Sequence, residues 1–420
     1  MKHSVSAVAL ATALMAAGSA HAQDNNAEVM HWWVSGGESA AVKELAGAFQ
    51  AAGGVWTDNA IGGGEIAIAT IVSRIAGGNP PTAAQMPLGK QIDDLVLSEL
   101  LAPLDEVGDE AGFWDNIPEI FTTALTYEDG HKYALPINSH GHNWVWYNKA
   151  VLEAAGAKEP VTWDDMFAAL DAIKAKGEAV PLAVGAQPWQ LGQTFLSVLL
   201  TKQGPDLYYQ VTRDLDVEAV RSDAFRDAVE TFRRLQDYSD EGATNREWNV
   251  AANMVISGQA GFQFMGDWAK GEYIAAGQTP GAEFGCQILG SGDGKRYFNL
   301  APDAFIFPVQ DGADGLTETQ KLLARTMMSP EAQIAFNANK GSVPVRLDVD
   351  ASQLDACSQI GMEILETEDQ RVPSVDFLVS PDMIGAERDL AAQFWADTSM
   401  TTDDFVEAFV YIIEAEQSMR

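Results

Sequence analysis

Along the chain, short apolar runs alternate with stretches whose apolar residues fall three and four apart. Glu28–Val34 reads as a strand, and Val42, Leu45, Ala46 and Phe49 then line one face of a helix that Gly53-Gly54 ends. Val55–Ala60 is a second strand, followed by the Gly62-Gly63-Gly64 turn. A helix with Ile68, Ile71, Val72 and Ile75 on one face comes next, stopped by Gly77-Gly78-Asn79-Pro80-Pro81. Strands alternating with helices predict an α/β fold with mostly parallel sheets flanked by helices. Asp129-Gly130 marks a hairpin turn, and the run ending in Trp144-Val145-Trp146-Tyr147-Asn148 marks a change of character. Further helices are set by Met166, Phe167, Leu170 and Ile173 behind a Thr162/Asp165 cap, and by Phe225, Val229, Phe232 and Gln236. Ala260–Met265 and Ala304–Val309 read as strands. Ser329-Pro330-Glu331 starts a helix that Lys340-Gly341 stops, and Phe405, Phe409 and Ile412 predict an apolar helix covering the end of the fold.

At 420 residues the chain exceeds what one core usually supports, so two lobes are expected. Its first 22 residues read as a secretory signal. Lys2 and His3 open it, Val5–Ala17 is an apolar run too short to span a bilayer, and Ala20-His21-Ala22 suits cleavage. The mature chain is expected to begin at Gln23 and to be soluble. The net charge of −34 becomes −35 once Lys2 is removed, and such a surface repels nucleic acid and anionic lipid. A salty medium would account for the same charge. For an exported chain, the two cysteines, Cys286 and Cys357, point to a disulfide, with a pair of buried thiols as the alternative.

Ligands of open α/β sheets bind beyond the carboxyl ends of strands. Three stretches have that position: Trp32-Trp33 with Glu38, Gln85 to Lys90, and Asp267-Trp268. Indole planes suit the C–H faces of a sugar ring, and charged side chains suit its hydroxyls, because hydrogen bonds to ionised groups are the stronger ones. Each has a plainer reading: Glu38 closes a capping box with Ser35, Lys340 complements a helix dipole, and Trp268 fills a core. Gly62-Gly63-Gly64 lacks the lysine and hydroxyl of a phosphate loop. His140 and His142 share a strand face and could hold a metal, but no third ligand stands at a telling spacing, so a structural role is preferred and no metal is expected.

Taken together, Trp32-Trp33 with Glu38, Pro136-Ile137-Asn138-Ser139-His140 leading to Trp146-Tyr147-Asn148, Thr162-Trp163-Asp164-Asp165, Gly266-Asp267-Trp268, Pro302-Asp303-Ala304-Phe305 and Lys340-Gly341-Ser342-Val343-Pro344 resemble the periplasmic sugar receptors of bacterial ABC importers. This is the extracellular solute-binding protein family 1, and the resemblance is nearest to its glucose-binding members. It implies a two-lobed clamshell, with residues 23–134 and 303–339 in the amino-terminal lobe and 135–302 and 340–420 in the carboxyl-terminal lobe. Carried over by position, Trp32, Trp33 and Trp268 would stack on a monosaccharide, glucose or a related hexose. Glu38, Lys90, Asp303 and Lys340 would bond its hydroxyls, with Gln85 and Asn299 as weaker placements. Trp268 and Asp376 would face the others across the cleft. Where relatives carry a site histidine after the lysine, this chain reads Ser374-Val375-Asp376-Phe377, which puts the sugar's identity in question and offers Asp376 as a carboxylate in its place. The resemblance also implies a periplasmic monomer without cofactor that delivers its ligand to the permease subunits. Three rivals compete with it: a receptor for a short glycoside, a polyamine receptor, and a secreted glycoside hydrolase using Glu38 and Asp303.

Overall fold

The computed structural model describes residues 25–88 and 92–420. The proposed signal segment and Lys90 lie outside them. A five-stranded sheet runs in the order β2 (Val55–Ala60), β1 (Asn26–His31), β3 (Ala83–Pro87), β11 (Asp303–Ile306), β4 (Ala134–Pro136). β1 pairs in parallel with β2 and β3, and the helices Gly36–Ala51 and Gly64–Ala76 make the crossovers. Residues 134–136 thus remain in this sheet, and the chain leaves it after Pro136.

A four-stranded sheet follows, in the order β7 (Val180–Leu182), β8 (Ala260–Phe264), β6 (Val145–Asn148), β9 (Phe284–Gln287). A three-stranded sheet of β12 (Arg371–Pro373), β10 (Phe298–Ala301) and β5 (His140–Gly141) uses segments that link the other two sheets along the chain, β5 falling between β4 and β6 and β10 between β9 and β11. Two apolar cores result. One gathers Val29, Leu45, Phe49, Ile71, Phe305 and Phe336 and reaches through Trp146 and Tyr273. The other holds Phe195, Phe225, Phe232, Phe394, Phe405 and Phe409.

The sheets are mixed rather than mostly parallel. β11 is antiparallel to both β3 and β4, and β6 is antiparallel to both β8 and β9. Only strands joined by a crossover helix are held to the parallel sense; β11 re-enters the first sheet after a long excursion and is free of that constraint. The first strand ends at His31, short of Val34, because the Trp32 amide donates to the Gln85 side chain at 3.1 Å instead of extending the ladder. The capping boxes at Ser35/Glu38 and Thr162/Asp165, the Ser329 cap with Pro330, and the left-handed Gly341 stop all stand where the sequence places them. In the last helix, Thr402–Met419, it is Ile413 rather than Ile412 that is fully buried beside Phe405 and Phe409. Cys286 and Cys357 form a disulfide joining β9 to the helix Ala356–Leu365. No helix among the described residues is long and apolar enough to cross a membrane.

Candidate functional site

The carboxyl ends of β1, β3 and β8 converge on one cluster of polar and aromatic side chains. β1 delivers Trp32 and Trp33. Neighbouring residues of an extended chain point to opposite sides, so the two indoles part company. Trp32 stays half-buried over the first turn of the helix that opens at Gly64. Trp33 goes into the core at 2 % exposure, its ring 5.7 Å from Phe305 and 5.3 Å from Phe336. Of the two indoles, Trp33 is thus the enclosed one and Trp32 the partly open one.

Lys340, the last residue of the helix Pro330–Lys340, is 2 % exposed. Its ammonium lies 3.8 Å from Glu38 Oε1 and 3.8 Å from Asp303 Oδ2, and 5.7 Å from the ring centres of both Trp33 and Trp268. It is thus a buried cation held by two acids and two indoles, not the solvated end of a helix. Glu38 serves two purposes, accepting from the Ser35 amide at 3.3 Å in the capping box while facing Lys340. Burial raises its carboxyl pKa, against the pull of the Lys340 charge.

Within the cluster, Asp303 accepts the most hydrogen bonds. Its Oδ1 accepts from Gln85 Nε2 at 3.0 Å, and its Oδ2 from Asn138 Nδ2 at 2.9 Å and from His140 Nε2 at 2.7 Å. Burial opposes its charge, but the His140 and Lys340 cations with these hydrogen bonds outweigh it and hold the carboxyl well below the usual range. His140 also donates from Nδ1 to Asp267, which in turn accepts from the Gly141 amide at 2.9 Å. Burial and Lys340 disfavour the imidazolium, yet the two flanking carboxylates prevail and raise the pKa of the ring. His140 consequently ties Asp303 of the first sheet to Asp267 just beyond β8.

Trp268 follows Asp267. A Cβ on Gly266 would fall 2.2 Å from its indole, so only glycine there lets the ring fold back across the chain, where it meets His140 and His142 edge to face at 5.1 and 5.5 Å. A second tie between the halves runs from the first turn of the helix Gly36–Ala51: the Gly37 amide donates to Glu272 Oε1 at 2.8 Å, and a Cβ on Gly37 would sit 2.5 Å from the Gly271 carbonyl carbon.

Of the other expected residues, Gln85 is fully buried and spends its amide on Trp32 and Asp303, so it positions those two. Asn299 is 4 % exposed and directs its amide to Tyr208 and to the carbonyls of Val372 and Pro373 inside the three-stranded sheet. Asp376 stands beyond Trp268, accepting from Ser374 Oγ at 3.0 Å, with Arg388 at 3.8 Å. Asn138, His140 and Glu272 belong to the cluster without having been expected there, and Asp267, part of one of the three candidate stretches, joins it through His140. The two-apart histidines were the sequence signal for His140. Among the described residues no group of three ligating side chains could hold a metal ion.

A profile described as bacterial extracellular solute-binding protein matches residues 33–333. A "Probable sugar-binding periplasmic protein" of Rhizobium meliloti (strain 1021) is 41 % identical over 367 residues, covering 87 % of this chain and 86 % of its own. A protein of the same description from Brucella suis is 42 % identical over 343 residues, covering 81 % and 80 %. Among solved structures, a solute receptor described as exclusive for galactopyranose superposes with a TM-score of 0.78 at 20 % identity, over 94 % of this chain and 99 % of the other. A solute-binding protein from Thermotoga lettingae bound to tagatose gives 0.75 at 17 % identity, over 93 % and 99 %. At these identities the likeness speaks for the two-lobed fold alone.

Proposed function

Since the chain belongs to the bacterial extracellular solute-binding protein family, we propose that it is the periplasmic sugar-binding component of an ABC importer, capturing a monosaccharide such as glucose or a related hexose for the membrane permease. The observation that carries this reading is the buried set of Glu38, Asp303 and Lys340, with the half-buried indole of Trp268 5.7 Å from the ammonium and half-buried Trp32 bonded through its amide to the Gln85 side chain that also holds Asp303. The acids accept and the lysine donates, so an array of hydroxyls is matched, while the indoles cover the apolar faces of the ring. Trp32, Glu38, Asp303 and Lys340, the last residue of the helix Pro330–Lys340, act from one side of the cleft, joined by Lys90, and Trp268 and Asp376 act from the other. Trp33 and Gln85 hold this set in place. A sugar touching both lobes stabilises the closed arrangement by the contacts it makes only there.

The family and its named relatives are binding proteins, which speaks against the hydrolase rival. Lys340, within 3.8 Å of both Glu38 and Asp303, favours binding over acid and base work, and a buried cation there opposes a polyamine. A thermal-shift screen against hexoses, pentoses and putrescine tests the proposal. One hexose should raise the melting temperature by a few degrees, as about 2.7 kcal/mol of added stability at about 100 times Kd would do. No shift with any sugar, or a shift with putrescine alone, would overturn it. Titration of Asp376→Ala with the same sugar should show weaker binding; unchanged affinity removes Asp376 from the site.

A further inference from the structure

The helix Ala269–Ala275 follows β8 of the four-stranded sheet, yet it packs against the start of the helix Gly36–Ala51, which follows β1 of the five-stranded sheet, and against the end of the helix Pro330–Lys340. Glycines make that approach possible. A Cβ on Gly37 would sit 2.5 Å from the Gly271 carbonyl carbon, one on Gly271 would sit 2.6 Å from the Asn339 carbonyl oxygen, and one on Gly341 would meet the Asp267 carbonyl. Backbone meets backbone at all three points. Each segment also carries a member of the cluster: Glu38 directly follows Gly37, Lys340 directly precedes Gly341, and Trp268 stands three residues before Gly271. How closely the glycines approach therefore governs how near Lys340 stands to the Trp268 ring.

One side chain fastens this junction. Glu272 is buried, and its Oε1 accepts from the Gly37 amide at 2.8 Å while a Cβ on Gly36 would come 3.5 Å from its Oε2. Both oxygens thus face the first turn of a 16-residue helix, where unpaired amides and the positive end of the dipole favour a carboxylate. The Gly37 amide is its only hydrogen-bond donor among the described residues. Lobes joined by few crossings move relative to each other by default, and surfaces made of glycine backbone part without disengaging interlocked side chains. What resists their parting here is this bond to a charged group, of the stronger class. When the two sides separate, water can satisfy both the amide and the carboxylate; when they meet, each depends on the other.

We propose that Glu272 is a positioning residue for sugar retention: without touching the ligand, it latches the helix Ala269–Ala275 onto the start of the helix Gly36–Ala51 and so sets how fast bound sugar leaves. This rests on the reading of the cluster as a hexose site between two lobes. The test is stopped-flow tryptophan fluorescence with glucose and with galactose on the native protein, Glu272→Ala, Glu272→Gln and Gly37→Ala, with ligand-free melting temperatures measured beside it. Glu272→Ala should release sugar about tenfold faster, the loss of one bond to a charged group, while association stays within about twofold. Glu272→Gln, whose side-chain oxygen can still accept from the Gly37 amide, should recover part of the native rate. Gly37→Ala, which sets a methyl group against the Gly271 carbonyl, should speed release from the other side of the junction and serves if Glu272→Ala fails to fold. Native release rates in the variants overturn the latch, and a lowered ligand-free melting temperature with release unchanged shows a merely structural contact. Sugar binding by the native protein in those cases leaves the hexose reading standing, whereas native protein that binds neither sugar removes both.

Discussion

Replacing Lys340 with methionine is expected to lower the unfolding free energy by about 3–5 kcal/mol and to weaken sugar binding by about a hundredfold or more. Methionine fills much of the same volume, so the loss is electrostatic. The ammonium lies 3.8 Å from the carboxylates of both Glu38 and Asp303 and is itself 2 % exposed. Removing one partner of a buried ion pair leaves the other charge uncompensated, which costs far more than the pair contributes when intact. The sign with pH follows. Asp303 is held below its ordinary value partly by Lys340, so the stability that Asp303 contributes is present above the unfolded carboxyl range and fades as pH falls. The deficit of Lys340→Met should accordingly be largest near neutral pH and shrink on acidification. Denaturant unfolding at several pH values checks this, and a variant within about 1 kcal/mol of the native protein would show that the cation is not structural.

The double variant Cys286→Ser, Cys357→Ser is expected to lose about 4 kcal/mol of stability and keep its sugar affinity within about twofold. The bridge closes 71 residues of chain, and the chain-entropy cost of leaving such a loop open in the unfolded state sets the size of the effect. It fastens β9 to the helix Ala356–Leu365, whose Asp355 cap and Ser358 also receive the buried Lys270 ammonium, so the helix keeps a second anchor when the disulfide is gone. Neither cysteine is in the cluster around Lys340, so binding should survive below the lowered melting point. Comparing denaturant midpoints and sugar titrations of the two proteins separates the effects. A loss under about 1 kcal/mol would mean that packing alone holds the helix.

Those parts of the fold governed by local chemistry were legible in the sequence. Caps at Ser35, Thr162 and Ser329, the stop at Gly341 and the 55–60 strand depend on neighbours a few residues away, and all stand as read. The sense of the strands was not legible, because β11 finds its place between β3 and β4 through residues far off in the chain. The same division runs through the site. Trp32, Trp268 and Lys340 announce themselves as residue types, but whether an indole faces the gap or the core depends on which side of β1 it leaves, and that placed Trp33 against Phe336. His140 shows only as one of two spaced histidines; its partners Asp267 and Asp303 lie 127 and 163 residues away.

The central claim is that one sugar is gripped by side chains from both halves of the molecule, and titration of the same sugar into native protein, Trp32→Ala and Trp268→Ala tests it most directly. The account predicts that each variant folds and binds at least about tenfold more weakly, the loss of roughly 1.4 kcal/mol or more that removing one aromatic face should bring. Full affinity in either variant would contradict it, because a sugar indifferent to the indole of one half is not held between the two.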